Sequence, residues 1–148
     1  MSGGISVGDT ATDLSALVAA RLCHDLISPM GAIGNGLELL QLSPGSGQDE
    51  LALVNESLAT ALAKIRFYRI AFGPADTQAR QSLDETAALT DAMFHGRFTV
   101  RWQPGGDMTR AIARMAYLAI LCLEKSLPMG GVARIDTGTG GIAMTVDG

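Results

Sequence analysis

The feature that most constrains this chain is a seam. From Leu51 through Val54, Leu58, Ala61, Ile65 and Tyr68 to Phe72, apolar side chains advance alternately by three and four residues. That is the spacing of a coiled-coil helix, sustained for about three heptads. The stretch before it, residues 14–42, carries a second stripe: projected at about 100° per residue, Leu22, Leu26, Ile33, Leu37 and Leu40 fall within roughly 60° of one another. Between the two lies Ser43-Pro44-Gly45-Ser46-Gly47, a set of residues that breaks helices and makes turns. Thr12 or Asp13 is placed to cap the first helix, Ser46 and Asp49 stand at capping-box spacing before the second, and Gly73-Pro74 ends it. Two such helices on a short loop form an antiparallel hairpin. One hairpin cannot cover two apolar stripes, so the pattern predicts a homodimer in which two hairpins make a four-helix bundle. An apolar content of 47% in 148 residues fits a chain that buries surface between subunits.

His24 lies opposite the first stripe and should face water. Its helical neighbours are Ala20, Arg21, Ile27, Ser28, Gly31 and Asn35, mostly small or polar, and so form a low surface on which another protein can seat itself. Asp25 is adjacent and able to orient an imidazole. An imidazole in water is largely neutral at pH 7, which leaves one ring nitrogen with a lone pair for attack on phosphorus. Pro29 removes a backbone hydrogen bond and should bend the helix just beyond the histidine. The competing reading of His24 is an ordinary exposed histidine.

The run His24-Asp25-Leu26-Ile27-Ser28-Pro29-Met30 resembles the H-box of histidine kinase dimerisation domains. Extended from Cys23 through Gly31-Ala32-Ile33-Gly34-Asn35-Gly36-Leu37-Glu38 to Leu40, it is more closely similar to the ChpT-type histidine phosphotransferases of bacterial phosphorelays. The resemblance implies that His24 accepts a phosphoryl group from the aspartate of a receiver domain on a hybrid histidine kinase and passes it to response regulators of the cell cycle. The receiver would bring the magnesium ion, so the chain needs no cofactor or metal of its own. On this reading His24 and Asp25 are the catalytic pair, Ser28 orients the phosphoryl group or back-bonds within the bent helix, and Arg21, Ile27, Gly31 and Asn35 form the docking patch.

Beyond residue 73 the periodicity changes. A linker is expected over 74–81. Ser82 and Glu85 form a capping-box pair opening a helix to about Phe94, residues 97–102 alternate like a strand, and Pro104-Gly105-Gly106-Asp107 turns into a helix from about Met108 to Leu127. Val132–Asp136 and Ile142–Val146 read as strands joined by Thr137-Gly138-Thr139-Gly140-Gly141, a hairpin turn rather than a phosphate-binding Gly box. This order resembles the first half of the ATP-binding domain of histidine kinases. There the helix before a Pro-x-Gly-Gly turn carries asparagines that hold magnesium; aligned on Lys125 to Gly131, this chain has Leu118 and Cys122 at those positions, and neither offers the oxygen a hard cation wants. The predicted fold is therefore α+β: a flexible tail over 1–13, a dimerisation and phosphotransfer hairpin over 14–73, the linker, and over 82–148 a partial, degenerate kinase ATPase-like domain.

The remaining features exclude more than they assign. A net charge of −4 gives no footprint for nucleic acid. No apolar run approaches 18 residues and no basic segment opens the chain, so neither a membrane span nor a signal peptide is expected, and the protein is placed in the cytoplasm. Cys23 and Cys122 read as buried small hydrophobes, and His95, before Gly96 at a helix end, as a capping residue. Two alternatives stay open: an autophosphorylating histidine kinase core, which would bind ATP, and a non-catalytic dimeric scaffold or anti-factor in which His24 does nothing.

Overall fold

The computed structural model describes residues 7–43, 45, 47–74, 78–138 and 141–148, with side chains from Asp13 onward. The chain is α+β and divides into two compact units, the first ending at Ala61 and the second running from Leu62 to Gly148. The described elements are, in order, α1 (Val7–Leu42), α2 (Gln48–Phe72), β1 (Arg80–Gln81), α3 (Leu83–Met93), β2 (Phe98–Trp102), β3 (Met108–Thr109), α4 (Arg110–Ser126), β4 (Gly131–Asp136) and β5 (Ala143–Asp147).

The first unit contains α1 and the first half of α2. Helix α1 begins at Val7, so residues 7–13 of the expected tail are helical; once a long helix is nucleated, extending it over weak helix formers costs little. Asp13 therefore lies inside the helix and does not cap it, while the Thr12 side chain and Ser46 lie outside the described residues. The two helices approach closely at Gly36, where an added Cβ would stand 2.6 Å from Val54 Cγ2 and 3.5 Å from the Glu50 carbonyl oxygen. Val54, Ser57 and Ala61 are buried. The expected seam is thus only half closed: Val54, Ala61 and Tyr68 are buried and Phe72 half-buried, but Leu51, Leu58 and Ile65 are exposed. A seam stepping by three and four straddles two faces of the helix, and within one chain only one of them is covered.

By length and composition alone, Asp13–Leu42 also passes for a membrane span. The run-length reading missed this because polar and charged residues interrupt the leucines, isoleucines and valine that supply the apolarity. Arg21, His24 and Asp25 sit near its middle, where ionisable groups are expensive in lipid, and its leucines form a stripe suited to protein contact.

The second unit takes the end of α2 into its core. Phe67 is fully buried and stacks on Tyr117 at 4.2 Å between centroids, with Tyr68 and Phe94 meeting it edge-on. This is why the unit boundary falls inside α2 and not after Phe72. Helix α4 buries Ala113, Ala116, Tyr117, Ile120 and Leu121, the stripe a surface helix presents to a sheet. The three-stranded sheet has the order β2-β4-β5, with β2 parallel to β4 and β5 antiparallel to it. Val100, Ala133 and Ile135 are buried. The β4–β5 hairpin is the one expected, and Asp136 Oδ1 accepts from the Gly138 amide at 2.8 Å in its turn, whereas Thr139 and Gly140 lie outside the described residues.

Helix α3 starts as expected, the Ser82 hydroxyl accepting from the Glu85 amide at 3.0 Å. A two-residue ladder was not foreseen: β1, inside the expected linker, pairs antiparallel with β3, so Met108–Thr109 is strand and Thr109 caps a helix that begins at Arg110. Strands of two residues leave no alternation to read. In the core of this unit Tyr117 donates to the Thr86 carbonyl at 2.9 Å and Trp102 Nε1 to Thr90 Oγ1 at 2.9 Å. Burial pushes the Tyr117 phenol well above the ordinary tyrosine range, opposed only in part by hydrogen bonding at Thr86.

Candidate functional site

His24 projects from the middle of α1 with 88% of its side chain accessible. Its Nδ1 lies 3.2 Å from Asp25 Oδ1, and Asp25 Oδ2 lies 3.3 Å from Arg21 Nε, one turn back. The carboxylate therefore bridges a guanidinium and an imidazole. An ionised carboxylate only accepts, so the ring nitrogen facing it is the one carrying hydrogen. In a neutral ring this leaves the lone pair on Nε2, which makes no hydrogen bond among the described residues. An exposed pair at i,i+4 adds only about 0.3–0.5 kcal/mol to a helix, so the Arg21–Asp25 contact matters for orientation more than for stability.

The structure brings together His24, Asp25 and Arg21. Arg21, expected in the docking patch, turns its guanidinium onto Asp25; the i,i+4 spacing was the available signal for that contact. Ile27, Ser28, Gly31 and Asn35 are exposed on the same helix, with Ile27 70% accessible and open space around Gly31. Ser28 makes no hydrogen bond among the described residues, so the back-bonding reading does not hold. Pro29 lies inside α1 and supplies no N–H to the Asp25 carbonyl.

Both cysteines are exposed, contrary to the expectation of burial. Cys23 lies beside the apolar stripe of α1 rather than on it, and Cys122 lies outside the buried stripe of α4. His95 stands past the end of α3, whose C-cap is Phe94, its amide donating to the Thr90 carbonyl at 2.8 Å. Among the described residues no three His, Cys, Asp or Glu side chains converge as metal ligands would. Leu118 is half-buried and Cys122 exposed on α4.

Comparison with known proteins bears on both units. Residues 83–148 match the family model of the histidine phosphotransferase C-terminal domain. Over 66 residues the chain is 53% identical to the protein phosphotransferase ChpT of Brucella abortus (strain 2308), a match covering 45% of this chain and 31% of that protein. The fold is similar to a solved structure of a bacterial phosphotransferase with a TM-score of 0.68 and 29% identity, over 97% of this chain and 68% of that one.

Proposed function

We propose that this chain is a ChpT-type phosphotransfer protein, a reading supported by the match of residues 83–148 to the histidine phosphotransferase C-terminal domain family, and that it relays phosphoryl groups through His24. A phosphorylated receiver domain docks on the His24 face of α1 and meets Ile27, Gly31 and Asn35. His24 Nε2 attacks the phosphorus of the receiver's aspartyl phosphate in line. The N–P bond forms as the P–O bond to the aspartate breaks, and the electron pair of that bond leaves on the receiver's carboxylate. The imidazole, still protonated at Nδ1, gains positive charge that Asp25 neutralises, while Arg21 holds Asp25 in place. Ser28, one turn on, is within reach to orient the transferring group. Catalysis of this kind is mostly positioning and electrostatics, with a divalent cation supplied by the receiver. Reversal onto a response regulator completes the relay.

The observation that carries this reading is the solvent-facing Nε2 of a histidine whose other nitrogen meets an Arg-anchored carboxylate. The exposed apolar side chains along the helices, Leu14, Leu17 and Leu37 on α1 and Leu51, Leu58 and Ile65 on α2, support a homodimeric four-helix bundle. The second unit is on this account a degenerate kinase ATPase-like domain. The test incubates the protein with labelled phosphorylated receiver, or with labelled ATP alone, and follows acid-labile label. Label from the receiver on wild type, absent from His24→Gln, is expected. Label from ATP alone would make the chain a kinase, and label retained by His24→Gln would displace the nucleophile.

A further inference from the structure

A solvent-open cleft of about 590 Å³ lies wholly within the second unit, between the end of α2, α3 and the start of α4. Arg66 and Arg69 enter it from one side of α2, and Arg110, the first residue of α4, enters from another. The Arg110 backbone is fixed by its amide, which donates to the Ala79 carbonyl at 2.8 Å. Ile70, Leu89 and alanines supply an apolar floor, and the acidic side chain at the cleft is Glu85, whose Oε2 is 3.5 Å from Gln81 Nε2. None of the three guanidiniums makes a hydrogen bond or ion pair among the described residues.

In a chain of net charge −4, three guanidiniums lining one cavity with no hydrogen-bond or ion-pair partner among the described residues concentrate positive charge there. Guanidinium is always charged and offers planar, bidentate donors matched to phosphate and carboxylate oxygens. The cavity volume falls in the range of small-molecule sites, about 300–1,000 Å³, and its mixture of an apolar lining with a few convergent polar groups is theirs too. Three positive charges facing one carboxylate leave two to be neutralised, about the charge of a phosphate monoester near neutral pH.

We propose that this cleft binds a small phosphate monoester with an apolar body, the phosphate held by Arg66, Arg69 and Arg110 and the body lying on Ile70 and Leu89. The site is separate from His24 and does not depend on the phosphotransfer reading.

The full chain is titrated with phenyl phosphate, and in parallel with inorganic phosphate and with phenol, while the arginine Nε–Hε signals are followed by NMR. Saturable binding of one phenyl phosphate per chain is expected, tighter than either fragment, weakened by salt, and with shifts at Arg66, Arg69 and Arg110. Arg69→Gln and Arg110→Gln should each weaken it about tenfold while leaving the melting temperature unchanged or raised, because a like charge has been removed. Equal binding by wild type and variants, or no preference over inorganic phosphate, overturns the proposal. So does a lowered melting temperature in both variants, which would make these arginines structural. Variants that slow transfer from a receiver, in a protein that never binds phenyl phosphate, would assign the cleft to an acidic protein surface and also overturn it.

Discussion

Phe67→Ala tests which face of α2 matters within a single chain. Phe67 has no accessible surface, stacks on Tyr117 with the rings 13° from parallel, and touches Tyr68 and Phe94 with ring centroids 5.6 Å away in each case. Truncating a buried phenylalanine costs about 3–5 kcal/mol, and the aromatic pairs add roughly 0.5–1.5 kcal/mol each beyond buried area. The upper end of that range, about 4–5 kcal/mol, is expected here. Against a typical domain stability of about 5–15 kcal/mol, it should lower the melting temperature of the second unit by at least about 15 °C. Urea unfolding followed by fluorescence of Trp102, the single tryptophan, reads this unit selectively. Ile65→Ala is the control: Ile65 is on the expected seam yet 48% exposed, so its loss should cost under about 1 kcal/mol in dilute monomer and more as subunits associate. A Phe67→Ala cost below about 1 kcal/mol, or an Ile65→Ala cost as large at every protein concentration, would refute the packing argument.

Gly36→Val should destabilise the helical hairpin by roughly 1–3 kcal/mol because its Cβ collides with Val54, whereas Gly31→Ala, with open space around it, should gain up to about 1 kcal/mol from helix propensity; thermal melts compare them. Asp25→Asn should lower the rate of phosphoryl transfer about a hundredfold with receiver docking retained, measured by single-turnover transfer and by binding. Arg21→Met should act in the same direction and less. Tyr117 has its ionisation raised in the folded state, so it stabilises the fold fully below the ordinary tyrosine pKa of about 10, and that stability is lost as pH rises above it, when the unfolded chain ionises first. Tyr117→Phe should flatten the alkaline limb of a stability profile measured by urea unfolding.

The helices and the larger sheet were legible in the sequence because their periods are long enough to count. The C-terminal end of α4 and the Ser82 cap stand where pattern and capping chemistry place them. What could not be read was how the two stripes of α2 are shared. Phe67 and Tyr68 are adjacent in sequence, and a heptad count selects only the second, whereas the core of the second unit uses both. The ladder of Arg80–Gln81 with Met108–Thr109 depends on a pairing across 27 residues and leaves no local trace. At the site, exposure of His24 and its neighbour Asp25 followed from helical projection. The turn of Arg21 onto Asp25 depends on rotamers, and the burial assigned to Cys23 and Cys122 failed because residue type outweighed position on the helix.

The most direct test of the central claim is the position of the phosphoryl group on the ring. Protein labelled with ¹⁵N at histidine, phosphorylated by a receiver domain and examined by ³¹P–¹⁵N NMR, should show phosphorus coupled to Nε2 of His24, with Nδ1 still protonated against Asp25. Phosphorus on Nδ1, on His95, or on no histidine while the receiver loses its phosphate would contradict the account.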